Sequence, residues 1–186
     1  MLTAAQITDM IDSGAMTWDG ELRGDALLLR LGSPLQPLVS PGTPMVIDLA
    51  DQRSIDALYR SPRPDWHSFD LKSGQLVLCP VAQPLRLGAM LAGAIAGLSH
   101  VARLGLATHV TSPWVLAGWH GHLTLELRNH GPATLRIYRG MPIGRLIVFP
   151  LSGPPGKSPS HPFYGKTDSP LGSRFADEFP SDEYLR

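Results

Sequence analysis

Glu126 lies in the middle of a stretch, His122 to Arg128, whose residues alternate in character. Leu123, Leu125 and Leu127 take one face of a period-two pattern, and His122, Thr124, Glu126 and Arg128 take the other. A carboxylate in mid-strand can move a proton between water and a reacting group when a pocket covers it, whereas on an open sheet face it is simply solvated. The other reactive side chains narrow the chemistry. Cys79 is the single cysteine and stands in the apolar run VLCPV, which reads as a buried, inert thiol. His109, His120, His122, His130 and His161 have no spacing that makes a compact tetrahedral set. Strand rise puts His122 and Glu126 about 13 Å apart on their shared face. No protein-ligated metal is expected, so any chemistry rests on a metal-free carboxylate.

The elements that must carry Glu126 are short. From Ala96 to Pro154, apolar runs alternate with glycine and proline at the spacing of a compact all-β barrel or sandwich. At the start, Thr3 can cap the run AAQITDMIDSG, in which Ile7, Met10 and Ile11 share a helical face and Gly14 offers a stop. Residues 33 to 64 hold Pro34, Pro37, Pro41, Pro44, Pro62 and Pro64 and read as loops and edge strands, with DQRSIDALYR long enough for a helical turn or two. Phe69 to Val81 reads as a strand or hairpin turning at Ser73-Gly74. After Pro154 the composition shifts to Gly, Pro, Ser and charge, which alone reads as a tail. The expected organisation is one β domain over residues 1–154 with its own tail segment, 155–186.

A chain of 186 residues suits one domain that buries about two thirds of its unfolded surface. No apolar run approaches ~18 residues and the polar start gives no secretory signal, so a cytoplasmic protein with no membrane partner is expected. Lys plus Arg number 16 and Asp plus Glu 16, which leaves no overall field for a nucleic acid but is compatible with a local basic pocket for a small anion.

Several blocks carry a family pattern. Ala102, Arg103, Leu104, Gly105 and Leu106 read ARLGL; His109, Val110 and Thr111 follow; Gly118, Trp119 and Gly121 form a turn; Leu125, Glu126 and Asn129 lie in the next strand. Gly140, Met141, Ile143 and Gly144 continue the pattern into PLSGP at Pro150 to Pro154, and Arg30, Leu31 and Gly32 match an earlier segment. On these residues the chain resembles the dCTP deaminase branch of the deoxyuridine triphosphatase superfamily. The resemblance implies a mainly β fold: a dUTPase-like antiparallel β-barrel, or distorted jelly roll, with a short N-terminal helix, assembled as a homotrimer. It also implies zinc-independent hydrolytic deamination of a cytosine nucleotide, dCTP to dUTP plus ammonia, with Mg2+ carried in on the nucleotide phosphates. The H-x-E and P-C-x-x-C arrangement of the zinc deaminases is absent.

By the same resemblance Glu126 is the catalytic acid and base, supported by Arg103 and Ser99. His100, Thr111, Ser112 and Trp119 fall where the family contacts its nucleotide. Tyr164, Lys166, Ser173 and Arg174 fall in a C-terminal segment that closes over it. Several positions depart: Leu28 and Leu116 stand where the family has aspartates, Leu98 and Trp114 where it has arginines, His100 where it has a serine, and Gly165 and Thr167 where it has glutamines. Leucine cannot accept a hydrogen bond or activate water, so phosphate hydrolysis is disfavoured and preference for the deoxy triphosphate should loosen. These departures also leave a second reading, a catalytically inactive nucleotide-binding or regulatory member.

Overall fold

The computed structural model describes residues 1–40, 42–154, 156 and 171–178. Its first element, α1 (Ala4–Asp12), forms where the spacing predicts. Thr3 Oγ1 accepts the Gln6 N–H at 3.4 Å and the Gln6 side chain accepts the Thr3 N–H at 3.0 Å, which satisfies two of the free amides at the helix start. Asp25 Oδ1 accepts a third, from Ala4, at 2.8 Å. Ile7 is fully buried, with Met10 and Ile11 partly buried against the same core. Gly14, at φ +72°, turns the chain out of the helix.

The chain continues through β1 (Met16–Thr17), β2 (Leu27–Arg30), β3 (Gln36–Pro37), α2 (Gln52–Asp56), β4 (Ser68–Leu71), β5 (Leu76–Pro80), β6 (Leu85–Leu87) and β7 (Leu91–Gly97). Then follow α3 (Ser99–Ala102), β8 (Leu106–Ala107), β9 (Trp114–Val115), β10 (His120–Gly121), β11 (Thr124–Asn129), β12 (Leu135–Tyr138), β13 (Pro142–Pro150) and α4 (Phe175–Glu178). The class is the expected one, antiparallel β with a few short helices. The strands divide among four sheets, in the orders β1-β6-β10, β3-β5-β11-β8, β12-β4 and β2-β13-β7-β9, and among the described residues they close no single barrel. Alternation puts Leu125 and Leu127 of β11, Val77 and Cys79 of β5, Leu27 and Leu29 of β2, and Leu146 and Val148 of β13 into one buried cluster. No helix among the described residues is long and apolar enough to cross a membrane.

The segment from Phe69 to Val81 departs from a simple hairpin. Its turn is present, with Gly74 at φ +73° and the Gln75 N–H bonded to the Lys72 carbonyl at 3.0 Å. Its two arms nevertheless enter different sheets: β4 pairs with β12, while β5 pairs with β3 and β11. The apolar arm β5 is buried on both faces, so it belongs between two neighbours. The polar arm β4 stays at an edge, where Asp70 meets Arg136 at 2.6 Å and that hydrogen bond holds the Asp70 carboxyl below its ordinary range.

Asn129, with no exposed surface, ends β11 and holds this junction. Its Nδ2 donates to the Leu71 carbonyl at 2.9 Å and the Ala133 carbonyl at 2.7 Å, and its Oδ1 accepts the Gly131 N–H at 2.9 Å. Next to it, Gly105 sits at φ +86° with its backbone so close to Gly131 that an added Cβ would lie 2.5 Å from the Gly131 nitrogen. Asn129→Ala removes the partner of two buried backbone groups and one part-buried one and is expected to cost roughly 3 kcal/mol, read as a lower midpoint in urea unfolding with an unchanged slope.

Candidate functional site

β11 positions Glu126 between two neighbours, with Glu126 opposite Leu78 of β5 and Arg128 opposite Ala107 of β8. Leu125 and Leu127 point into the core and leave Glu126 half-buried on the other face. One carboxylate oxygen is anchored, since Oε2 accepts the Val110 N–H at 3.0 Å. The other, Oε1, makes no hydrogen bond among the described residues. A carboxylate fixed through one oxygen and open at the other has the geometry of a proton acceptor and donor.

Among the described residues, three polar atoms on this face or on the segment that anchors Glu126 are buried and unpaired. Gln36 of β3 is opposite Leu78 and so shares a cross-strand row with Glu126; its Nε2 donates to the Arg60 carbonyl at 3.3 Å, and its Oε1 has no partner. Arg128, two residues along β11 on the same face, has an unpaired Nε. His109, directly before the Val110 that anchors Glu126, has an unpaired Nδ1. Orphaned buried polar atoms are common where a ligand completes the hydrogen bonding. The strand pattern already puts Arg128 on the face of Glu126, but nothing in the sequence links Gln36 to it, and His109 enters there as a rejected metal ligand and as part of the family pattern, with no site role.

The remaining sequence-derived positions fall into three groups. Thr111 and Ser112 are exposed and directly follow Val110, so the backbone that anchors Glu126 also carries them. Ser99 and His100 are exposed on the first turn of α3, and Arg103 is exposed at its C-terminal cap, its side chain making no hydrogen bond or ion pair among the described residues. Within one chain Arg103 and Glu126 are therefore not bonded to each other. Trp119 is partly buried against the core, and its Nε1 donates to the Gly121 carbonyl at 3.4 Å, a contact internal to its own turn. At the C-terminal end, α4 packs on α2, and the Ser173 carbonyl accepts the Gln52 Nε2 at 2.7 Å, while Arg174 is exposed and pairs with Asp177 at 3.5 Å. Tyr164, Gly165, Lys166 and Thr167 lie outside the described residues. No three His, Cys, Asp or Glu side chains gather among the described residues.

The departures separate in kind. Leu28 and Leu98 are 1% and 2% exposed and belong to the core, so a charged group at either place would be buried without a partner. Leu116 and Trp114, in contrast, are 56% and 66% exposed in and beside the turn after β9.

Comparison with known proteins gives a consistent picture. Residues 1–151 match a family model described as dCTP deaminase-like. A relative from Methanoregula boonei named "dCTP deaminase, dUMP-forming" is 36% identical over 110 residues, covering 59% of this chain and 58% of the relative. One of the same name from Corynebacterium jeikeium is 37% identical over 125 residues, covering 66% and 63%. The chain thus spans somewhat more than half the length of the curated relatives it matches. In fold it is similar to the crystal structure of 2'-deoxycytidine 5'-triphosphate deaminase from Agrobacterium tumefaciens, with a TM-score of 0.60 at 21% identity over 79% of this chain and 47% of that one.

Cys79 stands apart from this face. It is fully buried, and burial pushes its thiol from an ordinary 9.0 up to about 12. The native state therefore holds a proton that an unfolded thiol releases near pH 9, so this contribution is complete below pH 9 and is lost as pH rises toward 12. Urea unfolding between pH 8 and pH 10.5 should show a steeper loss of stability for the unaltered chain than for Cys79→Ala, and a disulfide reagent should label Cys79 only after unfolding.

Proposed function

Because this chain belongs to the dCTP deaminase-like family, we propose that it deaminates a cytosine nucleotide by metal-free hydrolysis, with Glu126 as both base and acid. The supporting observation is the carboxylate of Glu126, tied to the Val110 amide by Oε2 and open at Oε1. In the proposed step Glu126 takes a proton from water as the oxygen bonds to C4 of the cytosine ring. Glu126 passes that proton to ring N3, then takes the proton of the new C4 hydroxyl and gives it to the amino nitrogen, so that C4=O forms as the exocyclic C–N bond breaks and ammonia leaves. Thr111 and Ser112 line the approach, with Arg103, Ser99 and His100 on α3 holding the phosphates. Mg2+ enters with those phosphates, and a C-terminal segment including Tyr164, Lys166, Ser173 and Arg174 covers the nucleotide.

The proposed product is dUTP. The curated relatives carry the name dUMP-forming, which requires loss of pyrophosphate as well. Leu116, exposed in the turn where the family has its aspartate, offers no acceptor to orient a second water. The same absence removes a partner for the sugar hydroxyl, so CTP and dCMP should compete with dCTP within about tenfold. A second reading, nucleotide binding without turnover, is favoured by Leu116 and Trp114, which make this rim apolar.

Incubation with dCTP, CTP and dCMP, scored for ammonia, uracil product and pyrophosphate, separates the readings. Ammonia without pyrophosphate is the expected result, and binding with no ammonia would favour the inactive member. Glu126→Gln retains an oxygen for the Val110 amide but cannot take the proton, so turnover should fall by at least ~100-fold with binding kept.

A homotrimer is also proposed. The outer face of the β2-β13-β7-β9 sheet sets Ala92, Ala94 and Ala96 of β7 beside Phe149, Ile147 and Arg145 of β13, with the exposed Trp114 of β9 opposite Ala94. A largely apolar, half-exposed sheet face of this kind suits burial against another copy. Light scattering at micromolar concentration should give three times the chain mass, and a monomer mass would rule the assembly out.

A further inference from the structure

An open cleft away from Glu126 has a volume of about 500 Å³, within the usual range for small-molecule sites. Its polar lining consists of Ser40, Arg60, Ser61, Arg63 and Gln75, and no carboxylate lines it among the described residues. The rest of the lining is apolar and includes the ring of Phe69. Neither Arg60 nor Arg63 has a side-chain hydrogen bond or ion pair among the described residues. Gln75 is 8% exposed; its Oε1 accepts the Lys72 N–H at 3.0 Å, and its Nε2 has no partner among the described residues. Among the described residues the cleft therefore presents two guanidinium groups, two hydroxyls and an amide N–H, with no carboxylate to repel an anion.

These donors are held in place before any ligand arrives. The segment from Tyr59 to Arg63 runs antiparallel to Leu35–Leu38: the Arg60 N–H donates to the Pro37 carbonyl at 2.8 Å, and Arg63 and Leu35 exchange both backbone bonds at 2.8 and 3.1 Å. The Arg63 guanidinium lies 5.3 Å from the centre of the Phe69 ring, which steadies it while leaving its N–H edge open. The cleft shares no lining residue with the Glu126 row, although the Gln36 Nε2 bond to the Arg60 carbonyl joins the two. Pro37, Val77 and Leu127 form one cross-strand row, Gln36, Leu78 and Glu126 the next, and successive rows face opposite sides of the sheet. Gln75, two residues before Val77, takes the side away from Glu126.

We propose that this cleft binds an organic phosphate, with the phosphoryl group between Arg60 and Arg63 and its apolar or aromatic part against the apolar wall. Bidentate guanidinium recognition suits phosphate oxygens, and the apolar wall favours a phosphoester over the bare ion.

Phenyl phosphate and inorganic phosphate, titrated by calorimetry into the full chain, test this. Phenyl phosphate should bind at least fivefold tighter than inorganic phosphate, and the Arg60→Ala/Arg63→Ala pair should weaken it at least tenfold. Arg103→Ala, on α3, should leave it within twofold. Ser61→Asp, which sets a carboxylate in the cleft without removing an arginine, should weaken binding as the arginine pair does. Unchanged binding in the Ser61→Asp variant, or loss of binding in Arg103→Ala alone, overturns the cleft as the site. Equal affinity for both phosphates overturns the organic ligand. Deamination by Glu126 is unaffected by any of these outcomes, so the two readings fail separately.

Discussion

The fully buried side chain of Asn129 closes the end of β11 by satisfying backbone groups of Leu71, Gly131 and Ala133 at once. Where β11 ends decides its register against β5 and β8, and a one-residue slip would turn Glu126 into the core and Leu125 or Leu127 out of it. The close approach of Gly105 to Gly131 locks the corner after α3 onto the same junction. From that corner the chain runs through β8 to Val110, whose amide then meets Glu126. The anchored carboxylate is thus a downstream result of one amide side chain and one glycine pair.

Local order was legible in the residues. The alternation in β11, the capped helix α1 and the short helix within DQRSIDALYR depend on periodicity and caps, which are properties of neighbours in sequence. The partners of β4 and β5 were not legible, because both arms border the same good turn and only long-range burial sends one to an edge and the other to a sheet interior. The same limit hides Gln36, which reaches Glu126's face through β5 and not through any spacing. Arg128 lay in plain view on the alternating face, yet its unpaired Nε is a fact of packing alone.

Three leucines that look alike as substitutions are physically different. Leu28 and Leu98 each bury a side chain, worth about 1.5–3 kcal/mol of transfer from water, and so reinforce the core around β2 and α3. Leu116 gains no such burial in the single chain and, like Trp114 and Val110, leaves apolar surface exposed. The first two favour folding of this chain, while the third acts on whatever approaches the rim.

The four tryptophans sit in unequal surroundings. Trp18 and Trp66 are 5% and 6% exposed, with Trp66 Nε1 bonded to the Gly32 carbonyl at 3.0 Å, and Trp119 is partly buried. Trp114 alone stands mostly in solvent, at 66%. The molecule consequently carries its own optical probe at the rim: in water an indole emits at long wavelength, and three shielded rings supply a steady background. Any nucleotide or second copy that covers the turn after β9 would shift the red edge of the emission, without a dye and without altering the residues that hold the fold.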